Sequence, residues 1–497
     1  MTEHVPTSRL AIAGLFAVAF GAIAQLLFYG ADLGINVPLA TAALLAAAWL
    51  VRHHGLPVPD WTDAWLPLAA LVFAAFIALR GDVTLVLVDL LVVLTLTGAS
   101  VVALGGMPVV RRPIHQIVIL AGRFIGWTIA GGTRPSAALA GSLPRERLTR
   151  PPQRTTPVLR GLLIALPIGL VFVALFSAAD AVFARVVRDA FSFNLDLGDM
   201  TGRLLVAVVA AWLAAGALAF ATLRPQPAAA APNPDAMSLP RLGVTEAVTV
   251  LIVVDLVFAL FVALQAAYLF GGQDTLEASG LTYSEYARRG FLELIVVAIL
   301  AGGLVLTLQA VTSHRSWLHA GAAIGLALLT AVVLASALLR LRLYQEAYGW
   351  TELRLYALAG IAWLGIGIVL VVAALGSDRA RWLPHALIAS ALVVGLAVNV
   401  IGPVRFVAEQ NVARLLHPEL IAPDGETGLD AFYLMMLGSD AVPALIETLP
   451  ALPEDQRRDL LAELRFRADS LAAESASQSW QAWNLSREHA RSLLAEL

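Results

Sequence analysis

The stretch LTYSEYARRGFLELIVVAILAGGLVLTLQAV, residues 281–311, opens with two tyrosines, a glutamate and two arginines, then runs from Gly290 to Val311 with Glu293, Thr307 and Gln309 as its only strongly polar side chains. At about 1.5 Å per residue, a helix over that second part is long enough to cross the roughly 30 Å of bilayer hydrocarbon. Hydrocarbon offers the backbone no hydrogen-bond partner, so a span built of such residues must be helical. The same length filter, applied outward along the chain, selects eleven stretches, at about 10–29, 33–51, 64–79, 83–104, 158–178, 203–223, 244–270, 290–311, 317–339, 353–375 and 383–402. Composition agrees: 59% of the residues are hydrophobic, 14% are charged, and the mean hydropathy is +0.79, which leaves too little polar surface to cover a soluble protein. The expected fold is all-α, a polytopic transmembrane bundle of about eleven spans with a small helical extracytoplasmic domain at its C-terminal end.

Arginine placement sets the expected orientation. All 33 basic residues are Arg, each a permanently charged fork-shaped donor. The segment 105–160 holds Arg111, Arg112, Arg123, Arg134, Arg145, Arg147, Arg150, Arg154 and Arg160 against a single acid, Glu146. Cytoplasmic loops carry such an excess, so in a cytoplasmic membrane the N-terminus is expected inside and the tail outside. The apolar length of the first stretch and Arg9 before it favour a retained anchor over a cleaved signal peptide, although Ala22-Ile23-Ala24 has the form of a cleavage site. Residues 114–131 are apolar but contain His115, Gln116 and Arg123; they are expected to lie in the inner interface, with an additional short span as the alternative.

Four regions follow: an N-terminal membrane half over 1–223, an Ala/Pro-rich linker over 224–243, a second membrane half over 244–402, and a soluble helical tail over 403–497. In the tail, Glu454–Glu474 sets Leu460, Leu461, Leu464 and Leu471 on one helical stripe. No basic domain suited to nucleic acid is present, no cysteine can form a disulfide, and no catalytic, cofactor or metal pattern is recognisable, so the chain reads as non-enzymatic.

Charge near the outer ends of spans marks the candidate site. Thr282 and Glu285 form a capping box, which starts the eighth helix ahead of its apolar part and places Glu285, Arg289 and Glu293 along one face, beside Tyr283, Tyr286 and Arg288. The next outer loop, 339–356, carries Arg340, Arg342, Glu346, Tyr348, Glu352, Arg354 and Tyr356. Arginine there runs against the usual bias. Either the carboxylates neutralise the arginines in a network that locks the spans together, or the arginine forks bind an anionic group such as a lipid phosphate or an envelope protein. Inside the spans, Asp89 and Asp255 are costly unless satisfied, and Asp82 shares a helical face with Asp89. Two other classes therefore stay open: a lipid-linked glycosyltransferase, for which the first outer loop offers Asp32, and a proton-coupled transporter using Asp89 and Asp255.

The strings YLFGG (268–272), YSEYARRGFLELI (283–295), YQEAYGWTELRLY (344–356) and LDAFYLMMLGSDAVPAL (429–445) together resemble the bacterial membrane family labelled domain of unknown function 4173, a relative of 4153. The resemblance covers roughly 245–450. It implies no activity or cofactor, but it draws attention to Tyr283, Glu285, Tyr286, Arg288, Arg289, Gly290 and Glu293, and to Tyr348, Gly349, Leu353, Arg354 and Tyr356. Asp255 departs from that pattern, in which a neutral amide is expected.

Overall fold

The structure, a computed structural model, describes residues 7–53, 60–130, 197–223, 243–270, 291–312, 316–376, 382–417, 433, 436–477 and 479–497. Among these residues the architecture is helical: α1 (Thr7–Phe28), α2 (Asn36–His53), α3 (Trp65–Leu79), α4 (Val83–Leu104), α5 (Ile114–Ala130), α6 (Leu197–Ala221), α7 (Val244–Phe270), α8 (Phe291–Val311), α9 (Trp317–Tyr348), α10 (Glu352–Leu375), α11 (Leu383–Ile401), α12 (Pro403–Leu416), α13 (Val442–Thr448), α14 (Glu454–Ser477) and α15 (Leu485–Leu494). Among the described residues eight helical stretches are long and apolar enough to cross a membrane, and the chain is a multi-pass membrane protein. The expected eleven spans are thus matched by eight among the described residues. Of the other three, α2 ends in Arg52 and His53, α8 offers only the shorter apolar stretch Glu293–Gln309, and 158–178 lies outside the described residues.

Contacts divide the chain into two units. One comprises Met1–Ala228 with Leu471–Glu488, the other Ala229–Ser470 with His489–Leu497. In the first, α1 and α6 run antiparallel at close range. Gly21 meets α6 where a Cβ would fall 2.4 Å from the Ala207 carbonyl oxygen, and at the far end of α1 the Arg203 guanidinium lies 4.8 Å from the Tyr29 ring centre. The core between α1, α2, α4 and α6 is built largely of alanine: Ala13, Ala17, Ala47, Ala48, Ala214, Ala217 and Ala221 are all buried there. Small side chains let backbones approach, which in lipid substitutes dispersion contacts for the missing hydrophobic drive.

The α5 helix packs antiparallel along the last turns of α6, where the sequence pointed to a helix lying flat in the interface. Phe124 and Trp127 stack edgewise on Phe220, and the Trp212 indole donates to the Ile129 carbonyl at 2.8 Å. The physical reason is Gly216. A Cβ there would sit 2.4 Å from the Trp127 carbonyl oxygen, so only glycine admits the α5 backbone. Gly216→Leu is expected to lower stability by about 1–3 kcal/mol through overpacking. Gly122→Leu, whose Cβ meets open space, is expected to leave the melting temperature in detergent unchanged.

At the α2–α3 end of this unit, buried Asp63 accepts from the backbone N–H groups of Val109 (3.0 Å) and Val110 (2.8 Å), and Asp60 pairs with Arg111 at 2.9 Å. These bonds tie the loop before α3 to the segment after α4.

In the second unit α7 to α11 alternate in direction. Ala247 and Leu251 near the start of α7 share a buried layer with Ala301, Val305 and Leu308 of α8, Ala323 and Leu326 of α9, Val371 and Ala374 of α10, and Leu383 of α11. A second layer joins Leu294 and Ala298 of α8 to Val333, Leu334, Ala337 and Leu341 of α9 and Ile361 of α10. The order of residues through the two layers makes α7 and α9 parallel, with α8 and α10 antiparallel to them. Beyond α11, Gly402 adopts a left-handed conformation (φ 70°) and Pro403 starts α12. The expected stripe on α14 is observed: Leu460, Leu464 and Leu471 are buried, and Leu461 partly so.

Candidate functional site

The α9–α10 turn carries the described half of the expected cluster. Residues 339–348 belong to α9 itself, where the sequence suggested a loop, because nothing in LRLRLYQEAY breaks a helix until Gly349 at φ +76°. The connection is therefore only Gly349, Trp350 and Thr351, and the Thr351 hydroxyl caps α10 by accepting from the Arg354 N–H at 3.4 Å.

A helix that ends this abruptly leaves carbonyls without intrahelical partners and the negative end of its dipole exposed. Two guanidinium groups satisfy both needs. Arg414, reaching from α12, donates to the carbonyls of Gln345 (2.9 Å), Glu346 (2.6 Å) and Ala347 (3.3 Å). Arg354, only 9% exposed, donates to the carbonyls of Tyr348 (3.2 Å) and Gly349, and its guanidinium carbon lies 3.9 Å from the centre of the Tyr344 ring. Burial pushes the Arg414 guanidinium below its ordinary value, neighbouring Arg354 adds to this, and Glu346 opposes it. The group nevertheless stays charged at any physiological pH.

The rest of the turn is clamped from the tail. The Asn411 side chain accepts from the Trp350 N–H and donates to the Trp350 carbonyl, each at 2.8 Å, as a strand neighbour would. Phe406 meets the Trp350 ring edge-on at 4.9 Å, and the Tyr433 hydroxyl accepts from the Glu352 N–H at 3.0 Å. Arg354 thus serves the backbone, and neither Asn411 nor Arg414, which complete the clamp, carries a sequence signature. Around this built centre, Arg342 and Glu346 are exposed, while Arg340, Tyr348, Glu352 and Tyr356 are half-buried; Glu293 is exposed on α8. Tyr283, Glu285, Tyr286, Arg288 and Arg289 lie outside the described residues.

Deeper in the same unit, α8, α9, α10 and α11 border a cavity of about 300 Å³, lined by Gly302, Gly303, Thr330, Trp363, Gly367 and Leu387 among other, mainly apolar residues. The two adjacent glycines make it: a Cβ at either would meet nothing within 4 Å. The Trp363 indole is held by the Leu387 carbonyl and the Ser390 hydroxyl, both at 3.2 Å. On α10, Tyr356, Gly360, Trp363 and Gly367 recur at four- and three-residue steps, so the face that lines the cavity continues up to the charged turn.

The other polar candidates belong to other elements. Asp82 caps α4, accepting from the Leu85 N–H at 3.1 Å, while Asp89 is buried in that helix. Asp255 of α7 points its Oδ2 at Gly325 of α9, 3.5 Å from where a Cβ would lie. Asp32 sits in the α1–α2 loop, 3.9 Å from Arg487.

The profile of one family, described as domain of unknown function (DUF4153), matches residues 39–448. The chain belongs to that family. The match corrects the resemblance to 4173 in favour of the relative named beside it, and it extends into the first membrane half, where only hydropathy was legible. No curated protein and no solved structure matches the chain. The DUF4153 region thus runs from α2 to the end of α13 and contains both the α9–α10 turn and the glycine-lined cavity, with Asn411 and Arg414 inside it.

Proposed function

We propose that this chain is a non-enzymatic binding protein of a bacterial inner membrane, and that its ligand is an anionic amphiphile of the envelope. The hydrocarbon part occupies the cavity between α8, α9, α10 and α11, and the anionic head lies at the α9–α10 turn near Arg340 and Arg342. The observation that carries this reading is the continuity of one α10 face from Gly367 to Tyr356. Seven residues of helix separate Trp363 from Tyr356, about 10 Å, which is the reach from a lipid headgroup into the upper part of its chain. An apolar cavity within the hydrocarbon zone suits an acyl chain, and arginine forks suit phosphate. In this reading the N-terminus is cytoplasmic, and the turn, with the tail that clamps it, is extracytoplasmic, in keeping with the basic segment 105–160 and the alternation of α7 to α11.

A proton-coupled transporter is the second reading. It is favoured by the Asp255 Oδ1, which is buried without a hydrogen-bond partner. The glycosyltransferase reading has less support, since Asp32 lies beside Arg487 in a short, tied loop.

Filling the cavity tests the proposal. Gly303→Leu projects into open space, so the fold is expected to survive with its melting temperature unchanged. Native mass spectrometry of the purified protein is expected to show an anionic lipid retained by the wild type and at least ten-fold less of it on Gly303→Leu. Equal retention by both would remove the cavity from the binding site.

A further inference from the structure

The C-terminal segment Trp480–Arg487 is held by bonds to the ends of two spans. Gln481 donates to the Leu26 carbonyl of α1 at 3.0 Å, and Asn484, only 5% exposed, donates to the carbonyls of Ile77 (3.1 Å) and Arg80 (2.8 Å) at the end of α3. The Ile35 N–H donates to the Trp483 carbonyl at 2.9 Å, and Arg487 donates to the Leu33 carbonyl at 2.8 Å. The receiving loop is itself rigid, because Asn36, wholly buried, donates to the carbonyls of Leu27 and Asp32 and accepts from the Gly34 N–H. Leu26 and Ile77 both belong to helical stretches long and apolar enough to cross a membrane, Arg9–Phe28 and Trp61–Leu79. The segment therefore lies level with the last turn of two spans, where hydrocarbon gives way to headgroups.

Its outward face matches that level. Trp480 is 59% exposed, Trp483 40% and Leu485 46%, beside exposed Leu26 and Leu33. Tryptophan prefers this zone, because its ring is apolar and its indole N–H is polar. On a segment facing bulk water these three large apolar side chains would be left hydrated.

We propose that residues 480–485 are an interfacial membrane anchor: after the soluble helices the chain returns to the bilayer at the boundary where α1 and α3 end, and Trp480, Trp483 and Leu485 insert among the lipids. The partner is the bilayer interface itself. The anchor lies past the DUF4153 match and is independent of the ligand proposed for the second unit.

The chain contains no cysteine, so single nitroxide labels report without background. Trp480→Cys, Trp483→Cys and Leu485→Cys would be labelled in the full chain in liposomes, with Leu26→Cys as a reference at bilayer depth and Ala472→Cys, exposed on polar α14, as the aqueous reference. In power-saturation electron paramagnetic resonance the three anchor labels are expected to be relaxed by oxygen as at position 26, and by an aqueous nickel chelate at least three-fold less than at position 472. Nickel relaxation equal to that at 472 would overturn the anchor. Leu485→Cys keeps both tryptophans, and its result decides if either tryptophan variant fails to fold.

Discussion

Arg354→Ala is expected to destabilise the protein by about 2–4 kcal/mol, the range for breaking a buried, charge-assisted hydrogen-bond network. Arg354 sits among Tyr344, Tyr348 and Gly349, and its removal strands the carbonyls of Tyr348 and Gly349 at the negative end of a 32-residue helix. Lysine is expected to recover less than half of the loss, because an ammonium has no planar fork to span two carbonyls while stacking on a ring. Thermal unfolding in detergent checks both variants. Arg342→Ala, which removes an exposed side chain from the same helix, is expected to leave the melting temperature nearly unchanged. Equal losses from Arg342→Ala and Arg354→Ala would mean that net charge at the turn, rather than the carbonyl bonds, holds it together.

Gly34→Val is expected to release the C-terminal segment. A Cβ at Gly34 would lie 2.4 Å from the Trp483 carbonyl oxygen and 2.7 Å from that of Ala482, so backbone must move. The loop is fixed by buried Asn36, whereas the tail is held by a handful of hydrogen bonds, so the tail is the part that yields. Losing about 2 kcal/mol of local stability corresponds to roughly a thirty-fold larger open population. Trypsin is therefore expected to cleave at Arg487 and Arg491 on the order of ten- to thirty-fold faster than in the wild type, while the spans stay protected. Asn484→Ala, which deletes the bonds to Ile77 and Arg80 without a clash, is expected to give the same pattern more weakly. Unchanged cleavage in Gly34→Val would show that the segment adjusts in place.

Most of the helical ladder was legible from residue order, because in hydrocarbon every apolar run of span length has one backbone solution. Ten of the eleven expected stretches coincide with helices α1 to α4 and α6 to α11, and the alternation of α8 to α11 follows from their short connections. The arginine-rich turn was legible as a place, through its density of charged and aromatic residues. Its chemistry was not. Charge pairing is visible in sequence, but which donors meet the last carbonyls of α9 and the carbonyl of Trp350 depends on Arg414 and Asn411 arriving from more than sixty residues away. The same holds for α5, whose amphipathic pattern suits an interface as well as a helix flank. Gly216 decides between them, since a close approach of two backbones leaves no periodic signal. The cavity beside Gly302 and Gly303 and the docking of Trp480–Arg487 are likewise long-range. Local hydropathy and propensity set which segments become helices, and the absence of a few side chains, together with buried amides seeking carbonyls, sets where those helices meet.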